Sequence, residues 1–181
     1  MGNEARRKGL PHITTYKYLK PTPATLEELK ATYRKLSMEH HPDRGGDTAT
    51  MQAVNAEYDQ LFPTLKNIHK NKDGERYTAR EPNAETPDQF KDLISQLMHM
   101  DDIVIEIIGC FVWVAGNTKP HKDKLKALKF QWHSKKVAWY LKPEDYHRQS
   151  RKNYELDEIR EMYGNGGAIS SNGTTKLTAT A

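Results

Sequence analysis

Residues 33–47 read YRKLSMEHHPDRGGD, and their reading decides the fold of the first third of the chain. The left half suits a helix; the right half cannot continue one. Pro42 has no N–H to donate and disfavours helical backbone at His41, so a helix has to end there. Gly45 and Gly46 allow positive φ and a tight return. A turn accounts for Pro42, Gly45 and Gly46. It does not account for His41 and Asp43, because a turn needs neither an imidazole nor that carboxylate.

Working outward, Leu26, Leu29, Tyr33, Leu36 and His40 recur at spacings of three and four, one stripe of an α-helix. Thr25 is its expected N-cap, with Glu27 and Glu28 in the favourable first turn. Met51, Val54, Tyr58 and Leu61 repeat the pattern; Asp47 or Thr48 is the expected cap and Pro63 the expected stop. Two such helices across a short polar loop are expected to pack antiparallel, stripe to stripe. A shorter apolar segment, Ile13, Tyr16 and Leu19, is expected to lie across the pair, set apart by Pro21 and Pro23.

This arrangement resembles the J domain of the DnaJ co-chaperone family over roughly residues 12–65. His41, Pro42 and Asp43 match the family's His-Pro-Asp signature at the tip between its second and third helices. The stretch 33–47 is similar to the family's run of Tyr, two basic residues, Leu, a small residue and a hydrophobe before the signature. NAEYDQL (55–61) looks like its third helix, and the short Gly-Gly return is similar to J domains of viral T antigens and some mitochondrial import co-chaperones. The resemblance implies a heat-shock-70 chaperone of the DnaK class as partner, whose ATP hydrolysis this chain would stimulate allosterically. It implies that the partner docks on His41, Pro42 and Asp43 and on the basic helix face of Lys30, Arg34 and Lys35, with Tyr33 beside it. Exposed cations meeting an acidic groove would give orientation and salt-sensitive association. The chain departs from the family at Glu39, where a base is usual, at His40, where tyrosine is usual, and at Met51, where phenylalanine is common. His40 and His41 have no third ligand at metal-site spacing, so no metal is expected.

The rest of the 181 residues divides by composition. Residues 1–11 read as a flexible start, 12–69 as the J-domain-like unit, and 70–87 as a linker nearly devoid of apolar side chains. Residues 88–163 hold all three tryptophans, and 164–181 are Gly/Ser/Thr-rich and expected to be disordered. Hydrophobic residues make up 36% and charged residues 29%, which favours two small cores over one large one. The net charge of +4 is only mildly basic. The single Cys110 excludes an internal disulfide or CxxC zinc site. No run approaches the roughly 20 apolar residues of a membrane span. The start has no secretory pattern, so a cytoplasmic protein with no membrane association is expected.

In the second region Phe90, Leu93, Ile94, Leu97 and Met98 predict a helix after a Thr86 cap and Pro87. IVIEIIG and FVWVAG, divided by Gly109-Cys110, predict a β-hairpin. A helix from Thr118 with Leu125 and Leu128 inward, a second hairpin within 130–141 and a helix over 154–164 complete an α-β-β-α-β-β-α order. The fold class is therefore mixed: an all-α antiparallel helix hairpin followed by a small α+β domain.

From Asn117 to Lys142 there are eight lysines (119, 122, 124, 126, 129, 135, 136 and 142) against the single acid Asp123, among the aromatics Phe130, Trp132, Trp139 and Tyr140. Two readings stay open. Lys119, Lys122, Lys124, Lys126, Lys129, Lys135 and Lys136 with Trp132 and Trp139 are the ingredients of nucleic-acid binding, particularly of single strands. Equally, tryptophans fill a small core and lysines solubilise its surface. Residues 125–142 are loosely similar to small domains of bacterial and phage proteins, and distantly to the HARP repeats of DNA-annealing helicases. Eighteen residues carry no function across. No phosphate loop, catalytic triad or paired-carboxylate pattern appears in this region, so no enzymatic activity and no cofactor are expected. Cys110 is expected to be buried, and His121 and His133 to be surface residues. The expectation is a co-chaperone whose second region holds a target: a specific client protein, gripped as an adaptor would grip it, or a nucleic acid.

Overall fold

Thr25 opens the first helix as its N-cap. Its hydroxyl accepts from the Glu28 N–H at 3.3 Å, and the Glu28 carboxylate accepts from the Ala24 N–H at 2.9 Å. In the computed structural model, which describes residues 16–71, 73–79, 84–143, 146, 154–163 and 169–170, α1 spans Leu26–His40. Helix α2 spans Thr48–Leu65, with Asp47 as its N-cap. The two double back on each other: the Tyr33 hydroxyl of α1 reaches Asn55 (2.8 Å) and its ring packs, tilted, against Tyr58 of α2. Pro63 does not stop α2. The helix runs one further turn because Phe62 and Leu65 are both buried there, and Lys66 closes it through its N–H to the Phe62 carbonyl. Ile13 lies outside the described residues. Glu57 gathers the N–H groups of Lys17 (2.7 Å), Tyr18 (3.0 Å) and Leu19 (2.9 Å), and so ties the entering chain across α2 with Leu19 buried.

The polar segment after α2 is not without structure. Strands β1 (Ile68–Lys70) and β2 (Arg76–Thr78) pair antiparallel into a small hairpin, anchored by His69 Nδ1 at 2.5 Å from the Glu27 carboxylate. β2 is exposed throughout, consistent with a composition unable to fill a core.

Helix α3 (Pro87–Met98) begins with a capping box between Thr86 and Gln89. β3 (Ile103–Ile108) and β4 (Phe111–Gly116) form the first hairpin about Gly109, whose φ is +56°. A single 3-10 turn at Lys119–His121 leads into α4 (Lys122–Ala127); β5 (Gln131–His133) pairs with β6 (Ala138–Leu141), and α5 covers Leu156–Tyr163. β7 (Ile169–Ser170) joins the far side of β3, although the composition of its segment suggests disorder; burial of Ile169 explains its place. The five-stranded antiparallel sheet has the order β5-β6-β4-β3-β7. The chain is thus a mixed helix-and-sheet fold with, among the described residues, five α-helices and two antiparallel sheets.

Alternation splits the large sheet into two faces. Ile103, Ile105, Ile107, Val112, Val114 and Trp139 join one contiguous buried cluster with α1, α2, α3 and Leu125 of α4. Ile108, Trp113 and Ala138 face the other way, under Leu156, Ile159 and Tyr163 of α5. Both regions of the chain therefore share one main cluster. Arg160 of α5 grips Glu106 of β3 on that second face, at 2.9 and 2.7 Å. Among the described residues no helix is long and apolar enough to cross a membrane.

Replacing Glu57 by alanine strips the acceptor from three main-chain donors. The expected cost is about 1–3 kcal/mol, read as a lower urea midpoint together with faster amide exchange at Tyr18 and Leu19.

Candidate functional site

The turn between α1 and α2 is built from main-chain bonds. His41 leaves the helix with φ −65° and ψ 133°, the extended backbone expected before proline, while its N–H still closes on the Ser37 carbonyl at 2.9 Å. Pro42–Arg44 make one 3-10 turn. The N–H groups of Arg44 and Gly46 both donate to the His41 carbonyl at 3.0 Å, and that of Gly45 donates to the Pro42 carbonyl at 2.9 Å. Gly45 sits at φ +81°, the left-handed region glycine tolerates. Gly46 is needed for another reason: a Cβ there would lie 2.2 Å from the His40 carbonyl. Hydrogen bonds from the side chain and backbone of Thr50 hold the Asp47 carboxyl below its usual range, so the cap stays anionic in mild acid.

On this frame Pro42, Asp43 and Arg44 are exposed and His41 is half-buried. His41 Nδ1 accepts from the Asp43 N–H at 3.3 Å, so the imidazole is oriented by its own turn. The Asp43 carboxylate lies 3.5 Å from His41 Nδ1 and 2.9 Å from Nε2 of His99, at the end of α3. Nδ1 of His99 faces the Ser95 carbonyl at 2.7 Å. Both of its ring nitrogens thus face oxygen atoms of the chain.

The basic face of α1 is not where an exposed helix face would put it. Lys35 is exposed, but Lys30 is 6% exposed, Tyr33 3% and Arg34 0%. Helix α3 and strand β3 lie over them. Arg34 Nη1 donates to the Ile105 carbonyl at 2.9 Å, and desolvation brings its guanidinium down to about 10. Lys30 pairs with Glu85 and sits 4.9 Å over the Phe90 ring. His99 and Glu85 complete this surround, and sequence reasoning missed both. Glu85 lies in a segment read as linker, and His99 falls just past the apolar stripe of α3, where no pattern marks it.

The lysine-rich stretch is spread differently. Lys119, Lys122, Lys124, Lys126, Lys129 and Lys135 are exposed. Lys136 is half-buried and donates to the Tyr154 carbonyl, so it serves the fold. Trp139 is buried; Trp132 packs against it with the rings tilted at 59° and 5.5 Å apart, and stays 47% exposed at the sheet's edge strand. The bonds Lys129 N–H to Lys126 O and Phe130 N–H to Leu125 O fold the end of α4 straight into β5. Lys124, Lys126 and Lys129 therefore adjoin Trp132 along the chain. Cys110 is half-buried rather than buried, because it occupies the half-buried β3–β4 turn. His121 and His133 are half-buried; His121 Nε2 meets the Asp101 carbonyl at 3.1 Å. Burial, helped by Lys136, lowers the pKa of His133 and favours its neutral form. Among the described residues no group of three or more His, Cys, Asp and Glu side chains could hold a metal ion.

Comparison with protein-family models, curated proteins and solved structures finds no match.

The two glycines of the tip are expected to respond unequally to alanine. Gly45→Ala meets open space and should cost about 1–2 kcal/mol for the left-handed backbone. Gly46→Ala should cost more, because relief requires main chain to move, and paired urea melts would rank them.

Proposed function

We propose that this protein is a cytoplasmic J-domain co-chaperone that stimulates ATP hydrolysis by a heat-shock-70 chaperone of the DnaK class. One observation carries the reading: the His41-Pro42-Asp43 tripeptide stands at the tip between two helices that double back on each other, with Pro42 and Asp43 exposed. The main-chain bonds that close the turn do not use the carboxylate of Asp43. An exposed anion on a rigid tip suits a charge-assisted hydrogen bond with an arginine of the partner. Lys35 adds an exposed cation on the same helix. The effect would be a shift between the chaperone's states rather than a covalent transfer.

A second reading concerns residues 88–163 and is favoured by Trp132. A tryptophan half out of the surface beside exposed lysines offers a stacking face with phosphate-neutralising charge, as single-stranded nucleic acid would need. The co-chaperone would then act where that strand is held.

Addition of the full chain to a bacterial DnaK-class chaperone is expected to raise steady-state ATP hydrolysis. His41→Gln should abolish the rise while leaving circular dichroism unchanged; a variant as active as the parent would reject the reading. For the second surface, Trp132→Ala should weaken binding of an oligothymidylate roughly tenfold, within the range for one base stack. Binding that is absent at low salt, or indifferent to salt, would remove it.

A further inference from the structure

The anion at the tip has neighbours from both regions of the chain. Two imidazoles stand against the Asp43 carboxylate, and both meet the same oxygen. Oδ2 lies 3.5 Å from Nδ1 of His41 and 2.9 Å from Nε2 of His99. The two rings stand edge to face, 6.4 Å apart at 84°. The other oxygen, Oδ1, takes no hydrogen bond from any described residue. An ionised carboxylate has about four lone-pair sites over its two oxygens, so contact on Oδ2 leaves Oδ1 able to accept.

The place of His99 is set by the core and not by the tip. It directly follows α3, whose Phe90, Leu93, Ile94, Leu97 and Met98 are all buried in the main cluster and whose start is fixed by the Thr86–Gln89 capping box. Its Nδ1 meets the Ser95 carbonyl at 2.7 Å, which sets the direction of the ring. The main-chain bonds of the turn fix where the backbone of residue 43 stands, but they leave the rotamer of its side chain open. His99 supplies a restraint on that rotamer from outside the turn. Both side chains are a little over half exposed, so the contact adds little to folding. Its consequence is order: a side chain arranged before binding has less freedom to lose on binding.

We infer that His99 is a positioning residue for the proposed chaperone contact: it holds Asp43 by Oδ2 and leaves Oδ1 to a guanidinium of the partner. The docking surface is then composite, its carboxylate coming from the α1–α2 turn and the support of that carboxylate from the second region. The arrival of the guanidinium rests on the co-chaperone reading; the ordering of Asp43 is a property of this chain alone.

The test compares the full chain with His99→Ala and with His99→Gln, which keeps a side-chain donor at the end of α3. In the isolated chain, the three-bond Hα–Hβ couplings of Asp43, measured by NMR, are expected to show one staggered rotamer in the parent and in His99→Gln, and averaging in His99→Ala. Averaged couplings in the parent, or fixed ones in His99→Ala, overturn the inference and leave the co-chaperone reading untouched. In the ATPase assay with a bacterial DnaK-class chaperone, His99→Ala is expected to raise the concentration for half-maximal stimulation about two- to five-fold, the span of one exposed pair. The maximal rate and the urea midpoint are expected to stay, and His99→Gln to restore the parent's value. Half-maximal stimulation at the parent's concentration overturns the positioning role. So does stimulation at a lower concentration, which would make His99 a competitor for Asp43. Lost stimulation that follows a lowered urea midpoint assigns His99 to folding and overturns it too. If the parent's couplings are fixed yet no form stimulates, the co-chaperone reading falls and the inference with it, and only an ordered surface carboxylate is left.

Discussion

A guanidinium placed out of water, donating to a strand carbonyl, ties the helical half of this molecule to its sheet. The desolvation that this placement costs is borne by the packing around it. Leu29 and Tyr33 of α1, Phe90 of α3 and Ile103, Ile105 and Ile107 of β3 all belong to one buried cluster. Because α1 has α2 on one flank and α3 and β3 on another, its register governs where every other layer sits. The position of α3 then sets the position of His99, and through it the surroundings of the tip.

The sheet divides its labour by face. The side toward α1 and α3 is nearly all aliphatic, whereas the side under α5 carries Trp113 and Tyr140 at 5.4 Å and the Glu106–Arg160 pair. The three tryptophans thus end in three environments: Trp139 in the main cluster, Trp113 beneath α5 and Trp132 at the open edge. Only the last presents a face to solvent, so the three tryptophans yield one accessible indole rather than a platform of several.

Local signals were readable where local physics decides. The caps at Thr25, Asp47 and Thr86, the breaks at Pro42 and Gly109, and the stripes of α1, α2 and α3 all follow from residue type and spacing, and the order of strands and helices in the second region follows with them. Contacts over long separation were not readable. Nothing in the spacing of Arg34 says that Ile105 will accept from it, and a helix face bearing Lys30, Arg34 and Lys35 reads as solvated until another element lands on it. Pro63 misled for the same reason: a stop signal near a helix end yields when the next turn has Leu65 to bury. The β1–β2 hairpin was hidden by a polar composition that suits an exposed strand as well as a loop.

The tip is shaped by main-chain hydrogen bonds and by two glycines, while the Asp43 carboxylate stands outside that main-chain set and faces His41 and His99. Shape and message are therefore written in different residues. Exchanging the side chain at position 43 would leave every main-chain bond of the loop in place and alter its contacts with His41 and His99, whereas adding a side chain at Gly46 would deform the display whatever it carried. Such a turn behaves as a mount with an interchangeable head, and selection on its chemistry can proceed with little drag from selection on folding.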